Sequence, residues 1–297
     1  MLLGNDGNDF IDGQQGNDTA LLGAGNDVFQ WDPGDGSDTV EGQDGTDNLL
    51  FNGSNGDELF EASANGARVR FTRNLGSIVM DLDDVESIDA KALGGTDNLT
   101  LNDLSGTDVT EIRPDLSAPA GSNDGADNVI ANATNGDDVV PVTGVGATAQ
   151  VRGLAAMVSV SGIVAGSDRI TVNALAGDDV VDASTLAATS ALLTVNGGDG
   201  DDVILGGDGD DTLNGGAGDD VILGGLGNDV ITGAPGDDVV IQSLAATAAR
   251  SAGVRGATWL KAHARVVNGN TVLTVNGKKT KLPRAKLTKL VRTVASS

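Results

Sequence analysis

Between Gly197 and Ile241 the chain repeats every nine residues, and that repeat leaves few folds open to it. Five units stand in strict register: Gly197–Leu205 (GGDGDDVIL), Gly206–Asn214 (GGDGDDTLN), Gly215–Leu223 (GGAGDDVIL), Gly224–Thr232 (GGLGNDVIT) and Gly233–Ile241 (GAPGDDVVI). Position four is always Gly, position six always Asp, and position eight always Ile, Leu or Val. Glycine adopts positive φ without steric cost, so the first six residues read as a turn. Positions seven to nine read as a short strand. One unit cannot bury its apolar side chain, but stacked units can, at about 4.8 Å per strand. A turn follows every strand, so two units make one coil and residues 18 apart in the numbering stack. A disordered acidic segment would have no reason to keep the apolar eighth column.

The same frame opens the chain. Gly4–Asp12, Gly13–Leu21 and Leu22–Gln30 fit it, Trp31 and Asp32 read as a two-residue insertion, and Pro33–Glu41 and Gly42–Leu50 resume it. A solenoid normally begins with a cap. Because this chain opens inside a repeat, its N-terminus is expected to be truncated, so the lack of a visible signal peptide carries little weight. The middle uses a longer unit of eleven residues: Ser87–Asp97, Asn98–Asp108, Arg169–Asp179 and Val180–Ser190. Its apolar columns hold Ile88, Leu99, Ile170 and Val181 at the second place, and Leu93, Leu104, Leu175 and Leu186 at the seventh. Asn52–Asp97 and Asn132–Asp179 share an order of features, which suggests a larger duplication. Val69–Phe71, Ile78–Leu82 and Val158–Val160 read as short strands.

Composition agrees with a thin, regular core. There are 44 glycines, no tyrosine, and only 2% aromatic residues. Only five of the 43 acidic residues are Glu. Asp is the carboxylate of tight turns and of hard-cation sites. All 43 acidic residues precede residue 243, and eleven of the 18 basic residues follow Gln242. Cysteine is absent, which excludes disulfides and thiolate metal sites. No apolar run is long enough to span a membrane.

Stacking places Asp202 above Asp220, Asp211 above Asp229, and Asp220 above Asp238. Bare carboxylates at that spacing repel, and a divalent cation between turns removes the conflict. Carboxylate and backbone carbonyl oxygens suit Ca²⁺ rather than Zn²⁺. The glycine turns do not supply GxGxxG between a strand and a helix, and no EF-hand Glu follows them.

These blocks resemble the hemolysin-type calcium-binding repeat, the repeats-in-toxin nonapeptide. The resemblance implies an all-β, right-handed parallel β-roll or β-helix solenoid with Ca²⁺ held between adjacent coils. It implies several ions, about three per block. The expected ligands in the first block are the sixth-position Asp9, Asp18, Asp27, Asp38 and Asp47. In the second they are Asp202, Asp211, Asp220, Asp229 and Asp238, with turn carbonyls from Gly198, Gly200, Gly207, Gly209, Gly216, Gly218, Gly225, Gly227 and Gly236. Asp9 is expected over Asp27, Asp18 over Asp38, and Asp27 over Asp47. The Asp at position five (Asp201, Asp210, Asp219, Asp237), where the family often has Asn, is expected to add charge near the ion. The eleven-residue units lack paired glycines and are expected to stand without calcium. Their aspartates Asp97, Asp108, Asp138, Asp168 and Asp179 are expected to cap their own turns.

Four segments follow: a calcium roll at 4–50, a degenerate β-helix at 51–196, a second calcium roll at 197–242, and a small basic α+β cap at 243–297. In the cap, Leu244–Arg250 reads as a helix, Ala264–Val267, Thr271–Val275 and Lys278–Leu282 as strands, and Leu287–Val294 as an amphipathic helix. The only histidine, His263, has no acid near it in sequence, so neither a Ser-His-Asp triad nor a zinc site is built around it. Asp pairs that follow the repeat do not make a glycosidase couple. The expected function is therefore non-enzymatic calcium binding in a secreted or surface-exposed structural or adhesive solenoid that folds on meeting extracellular calcium. The alternative is an accessory module of a larger secreted enzyme whose catalytic domain lies upstream. The acidic roll excludes nucleic acid, and the basic tail suits a cell-surface or anionic polysaccharide.

Overall fold

Strands form wherever apolar residues alternate between two glycine- or asparagine-bearing turns. The computed structural model describes residues 1–121 and 124–242, together with the backbone of strands Ala264–Val267, Asn270–Val275 and Lys278–Leu282. Those three strands fall where the sequence places them and pair antiparallel in a sheet of their own. The helices expected at Leu244–Arg250 and Leu287–Val294, and His263, lie outside the described residues. The protein divides into two units, one of Met1–Asn132 with Gly146–Thr171, the other of Ala133–Val145 with the residues from Val172 onward. No helix among the described residues is long and apolar enough to cross a membrane.

In the first unit, successive turns send the chain alternately into two sheets. Leu2–Leu3, Thr19–Gly25 and Thr39–Gly45 stack in parallel in one, with Ala20 beside Val40. Phe10–Asp12, Val28–Trp31 and Asn48–Ser54 stack in the other, with Phe29 beside Leu49 and Trp31 beside Phe51. Ser87–Leu93 continues that second sheet through Leu49 and Ile88, and Glu111–Asp115 follows through Ile112. Most inward residues of these strands are buried, Phe29, Trp31 and Phe51 among them, whereas Phe10 is exposed. Trp31 stacks on Phe51 at 4.1 Å, and Phe51 meets Phe60 and Phe71 edge-on.

The second unit keeps the nine-residue rhythm. Leu192–Asp199, Thr212–Ala217 and Val230–Thr232 are parallel in one sheet, joining Val195, Leu213 and Ile231. Val139–Val145, Val180–Leu186, Val203–Leu205, Val221–Leu223 and Val239–Ile241 are parallel in the other, where Ile204 sits between Val181 and Ile222. The eighth-position column accounts for the buried Ile204, Leu213 and Ile222.

Two features depart from the sequence reading. The middle is not purely parallel, because Leu59–Asn65, Arg68–Arg73 and Ile78–Asp83 form an antiparallel meander, and Thr148–Val151 pairs antiparallel with Met157–Ser161. The meander carries charged residues on its outward side, such as Glu61, Arg70 and Asp81, and makes its first turn at Gly66, with φ 70°. They lengthen the interval between stacked turns from 18 residues in the repeats to 39–41. The seventh column of the eleven-residue units also splits. Leu104 and Leu186 are core residues, whereas Leu93 and Leu175 take positive φ (69° and 77°) and turn the chain. The second column, Ile88, Leu99, Ile170 and Val181, is buried throughout.

Candidate metal centre

Most repeat turns take a left-handed backbone at positions two and four. Gly216 and Gly218 have φ 107° and 139°, and a Cβ added to them would lie 1.9 Å and 2.1 Å from the carbonyl oxygens of Gly198 and Gly200 in the coil before. Glycine here serves both the left-handed backbone and the close approach of stacked turns. Gly198, Gly200, Gly225 and Gly227 have the same positive φ, whereas Gly207 and Gly209 do not, and Gly207 N–H instead donates to Asp211 Oδ2 at 2.7 Å. A Cβ on Gly236 would meet Gly218 O at 1.8 Å.

The sixth-position carboxylates form ladders. The Asp202 N–H donates to Asp220 Oδ1 and the Asp220 N–H to Asp238 Oδ1, both at 2.9 Å, while Asp211 N–H donates to Asp229 Oδ1 at 3.2 Å. The first block repeats this from Asp9 to Asp27 (2.7 Å), Asp18 to Asp38 (2.8 Å) and Asp27 to Asp47 (2.8 Å). The insertion does not break the stack. Asp32 and Asp35 close an extra turn on themselves, and Trp31 Nε1 donates to Gly36 O at 2.8 Å. All the stacked pairs expected from spacing are therefore brought together.

The Oδ1 atoms of Asp27, Asp38, Asp47, Asp220, Asp229 and Asp238 are thus engaged by the coil before, as is that of Asp202 by Asp179 N–H. The other carboxylate oxygen, Oδ2, is buried without a hydrogen-bond partner at Asp9, Asp27, Asp38, Asp47, Asp202 and Asp229. Position one makes room for it: a Cβ on Gly197 would lie 2.3 Å from Asp202 Oδ2, and one on Gly224 would lie 2.2 Å from Asp229 Oδ2. Sequence reasoning put positions two and four into the site and missed position one, whose invariant Gly in the second block was the available signal. Burial pushes the carboxyls of Asp202 and Asp211 up to about 7, and those of Asp38 and Asp47 up to about 6, with neighbouring carboxylates adding to the shift. A buried carboxylate with a vacant lone pair needs either a proton or a cation. With carboxylate and carbonyl oxygens as the donors at hand, the set fits a hard cation such as Ca²⁺.

Position five forms a second ladder of opposite direction. Asp219 N–H donates to Asp201 Oδ1 (2.8 Å), Asp237 N–H to Asp219 Oδ1 (2.9 Å), and Asn26 N–H to Asn8 Oδ1 (2.9 Å). Asp and Asn offer the same acceptor, which accounts for their exchange at this position.

The ladder also runs through the middle. Glu58 N–H donates to Asp97 Oδ1, Asp97 N–H to Asp127 Oδ1, and Asp127 N–H to Asp168 Oδ1. In the second unit Asp138 N–H donates to Asp179 Oδ1, and Asp179 N–H to Asp202 Oδ1. The expectation of self-capping holds at Asp138, which accepts from Thr134 of its own turn, and is corrected elsewhere: Asp97 and Asp179 accept from a stacked turn, Asp168 accepts from both a stacked turn and its own, and Asp108 is exposed outside the ladder. Glu58, Glu86 and Asp127 are ladder residues that sequence reasoning missed. Two of them are Glu where the frame calls for Asp, and all three follow irregular spacings. The suspected duplication is visible in these bonds. Ser54 N–H and Oγ both donate to Glu58, and Thr134 N–H and Oγ1 both donate to Asp138.

Set against known families, residues 1–29, 194–222 and 214–241 match the RTX calcium-binding nonapeptide repeat (4 copies). No curated protein matches the chain. The chain thus carries calcium-binding repeats of the RTX kind, folded as a β-roll.

Proposed function

We propose that the protein is a secreted, non-enzymatic solenoid, structural or adhesive in role, whose two repeat blocks complete their folding on calcium. The buried, unpartnered Oδ2 atoms at the sixth position carry this reading. Asp202, Asp211, Asp220, Asp229 and Asp238 hold the ions in the second block, and Asp9, Asp18, Asp27, Asp38 and Asp47 those in the first. The bound ion supplies positive charge between coils that otherwise oppose carboxylate to carboxylate. The protein's own residues do the rest. Glycines at most of positions one, two and four let turns approach, the two ladders fix the register, and most eighth-position side chains close the core.

Extracellular calcium modules bind at about 0.1–1 mM. Sites of that affinity stay empty inside a cell and fill outside it, so the metal couples folding to location. Circular dichroism during a calcium titration, with magnesium as control, tests this. A β-rich transition near millimolar calcium and none with magnesium is expected. An unchanged spectrum in a chain already folded under chelator would overturn the coupling.

A further inference from the structure

The middle of the first unit contains two adjacent rungs of the same ladder that solve the charge problem differently. At Glu58 the carboxylate is fully buried and both oxygens are used. Oε2 accepts Ser54 N–H at 2.8 Å, and Oε1 accepts Ser54 Oγ at 3.1 Å and the guanidinium of Arg73. Arg73 is itself 7% exposed, donates to Leu75 O at 3.2 Å, and lies 5.3 Å over the Trp31 ring. The strand Arg68–Arg73 thus delivers a tethered cation to this rung.

The next rung has no such partner. The Asp97 side chain is 2% exposed, its Oδ1 accepts Glu58 N–H at 2.7 Å, and its Oδ2 is buried with no hydrogen bond. Among the described residues, no salt bridge reaches it. Asp127, 3% exposed, stands behind it and accepts Asp97 N–H at 2.8 Å. The turn leading into Asp97 has the repeat's own backbone: Leu93 and Gly95 have φ 69° and 125°, as Gly198 and Gly200 have 111° and 132°. Gly125 packs its turn onto this one, its N–H donating to Gly95 O at 2.6 Å. None of these residues lies in a matched segment.

We infer that Asp97 and Asp127 hold a further divalent cation, of the hard, oxygen-seeking class that includes Ca²⁺, between two turns of the middle region. The site follows from the one buried oxygen of these rungs that no donor reaches: the buried Asp168 uses Oδ1 for Asp127 N–H and Oδ2 for Val164 N–H, whereas Asp97 Oδ2 has neither donor nor cation. Glu58 has a guanidinium, and Asp97 has a ligand atom left vacant. The identity of the ion rests on the calcium reading of the terminal repeats.

Equilibrium dialysis of the full chain against radiolabelled calcium gives the number of ions bound. Asp97→Asn keeps the acceptor for Glu58 N–H and removes the charge, so it is expected to bind one ion fewer than wild type. Asp127→Asn should show the same loss and serves if the first variant fails to fold. Asp202→Asn is the reference for the terminal repeats. If Asp202→Asn lowers the count and both middle variants match wild type, the middle site is overturned and the repeat reading stands. If wild type binds no calcium, both fall.

Discussion

Withdrawing calcium should make the stability of the second repeat block depend on pH in the direction opposite to that of most folded proteins. In the folded, metal-free state, burial raises the carboxyls of Asp202 and Asp211 to about 7. An unfolded Asp titrates near 3.9. The folded state therefore holds protons that the unfolded state releases. Stability from these groups is full below about pH 4 and is lost as pH rises through 7. Each pKa unit is worth about 1.4 kcal/mol, so a rise of about three units costs about 4 kcal/mol per group at pH 8. Shared repulsion between neighbours is counted in both values, which brings the cost to about 2–4 kcal/mol each. Two such groups then cost about 4–8 kcal/mol, comparable to the whole stability of an ordinary domain. Calcium removes that cost, and protons remove it too. Far-ultraviolet circular dichroism of calcium-free protein should show more β-structure at pH 5 than at pH 8, while the calcium-loaded protein stays level. A calcium-free chain that loses β-structure on acidification from pH 8 to pH 5 would refute the reasoning.

Four substitutions probe other parts of the account. Asp202→Asn keeps its Oδ1 acceptor and loses its charge, so the calcium midpoint should rise about tenfold, equal to about 1.4 kcal/mol, in a titration followed by circular dichroism; an unmoved midpoint would exclude Asp202 as a ligand. Gly218→Ala puts a Cβ 2.1 Å from Gly200 O at φ 139°, and should destabilise the protein by about 2 kcal/mol or more even in saturating calcium. Gly209→Ala meets nothing nearer than 3.7 Å, so its thermal midpoint should shift far less; equal shifts would count against the stacked-turn geometry. Arg73→Met leaves Glu58 charged, buried and unpaired, at a cost of about 3–5 kcal/mol, read as a lowered unfolding midpoint at saturating calcium.

Much of the site was legible because the repeat is strict. A spacing of 18 residues carries Asp202 onto Asp220 without knowledge of the coil, and the eighth column picks out the buried Ile204, Leu213 and Ile222, though Ile231 is half-buried and Val240 exposed. The two-residue insertion left the ladder intact because Trp31 extends its strand into the core and the added length is taken up in the turn from Asp32 to Asp35, where it costs little. The middle was harder to read for a physical reason. Hairpins change the interval between stacked turns from 18 to as many as 41 residues, so Asp127 and Asp168 meet without any local period to show it. Leu93 and Leu175 look like core leucines in an alignment of eleven-residue units. Their backbone instead does the work of the second glycine, a left-handed turn that a non-Gly residue can make at modest cost. The position-five ladder was hidden because Asp and Asn differ in charge and agree in the acceptor that matters.

The central claim is that metal completes the terminal blocks, while the Arg73-held meander stands without it. Hydrogen–deuterium exchange of the full chain, with calcium and with chelator at pH 8, tests this segment by segment. Amides of residues 4–50 and 197–242 should be protected only with calcium, and those of Leu59–Asp83 in both conditions. Equal protection of residues 197–242 with and without calcium would contradict the account.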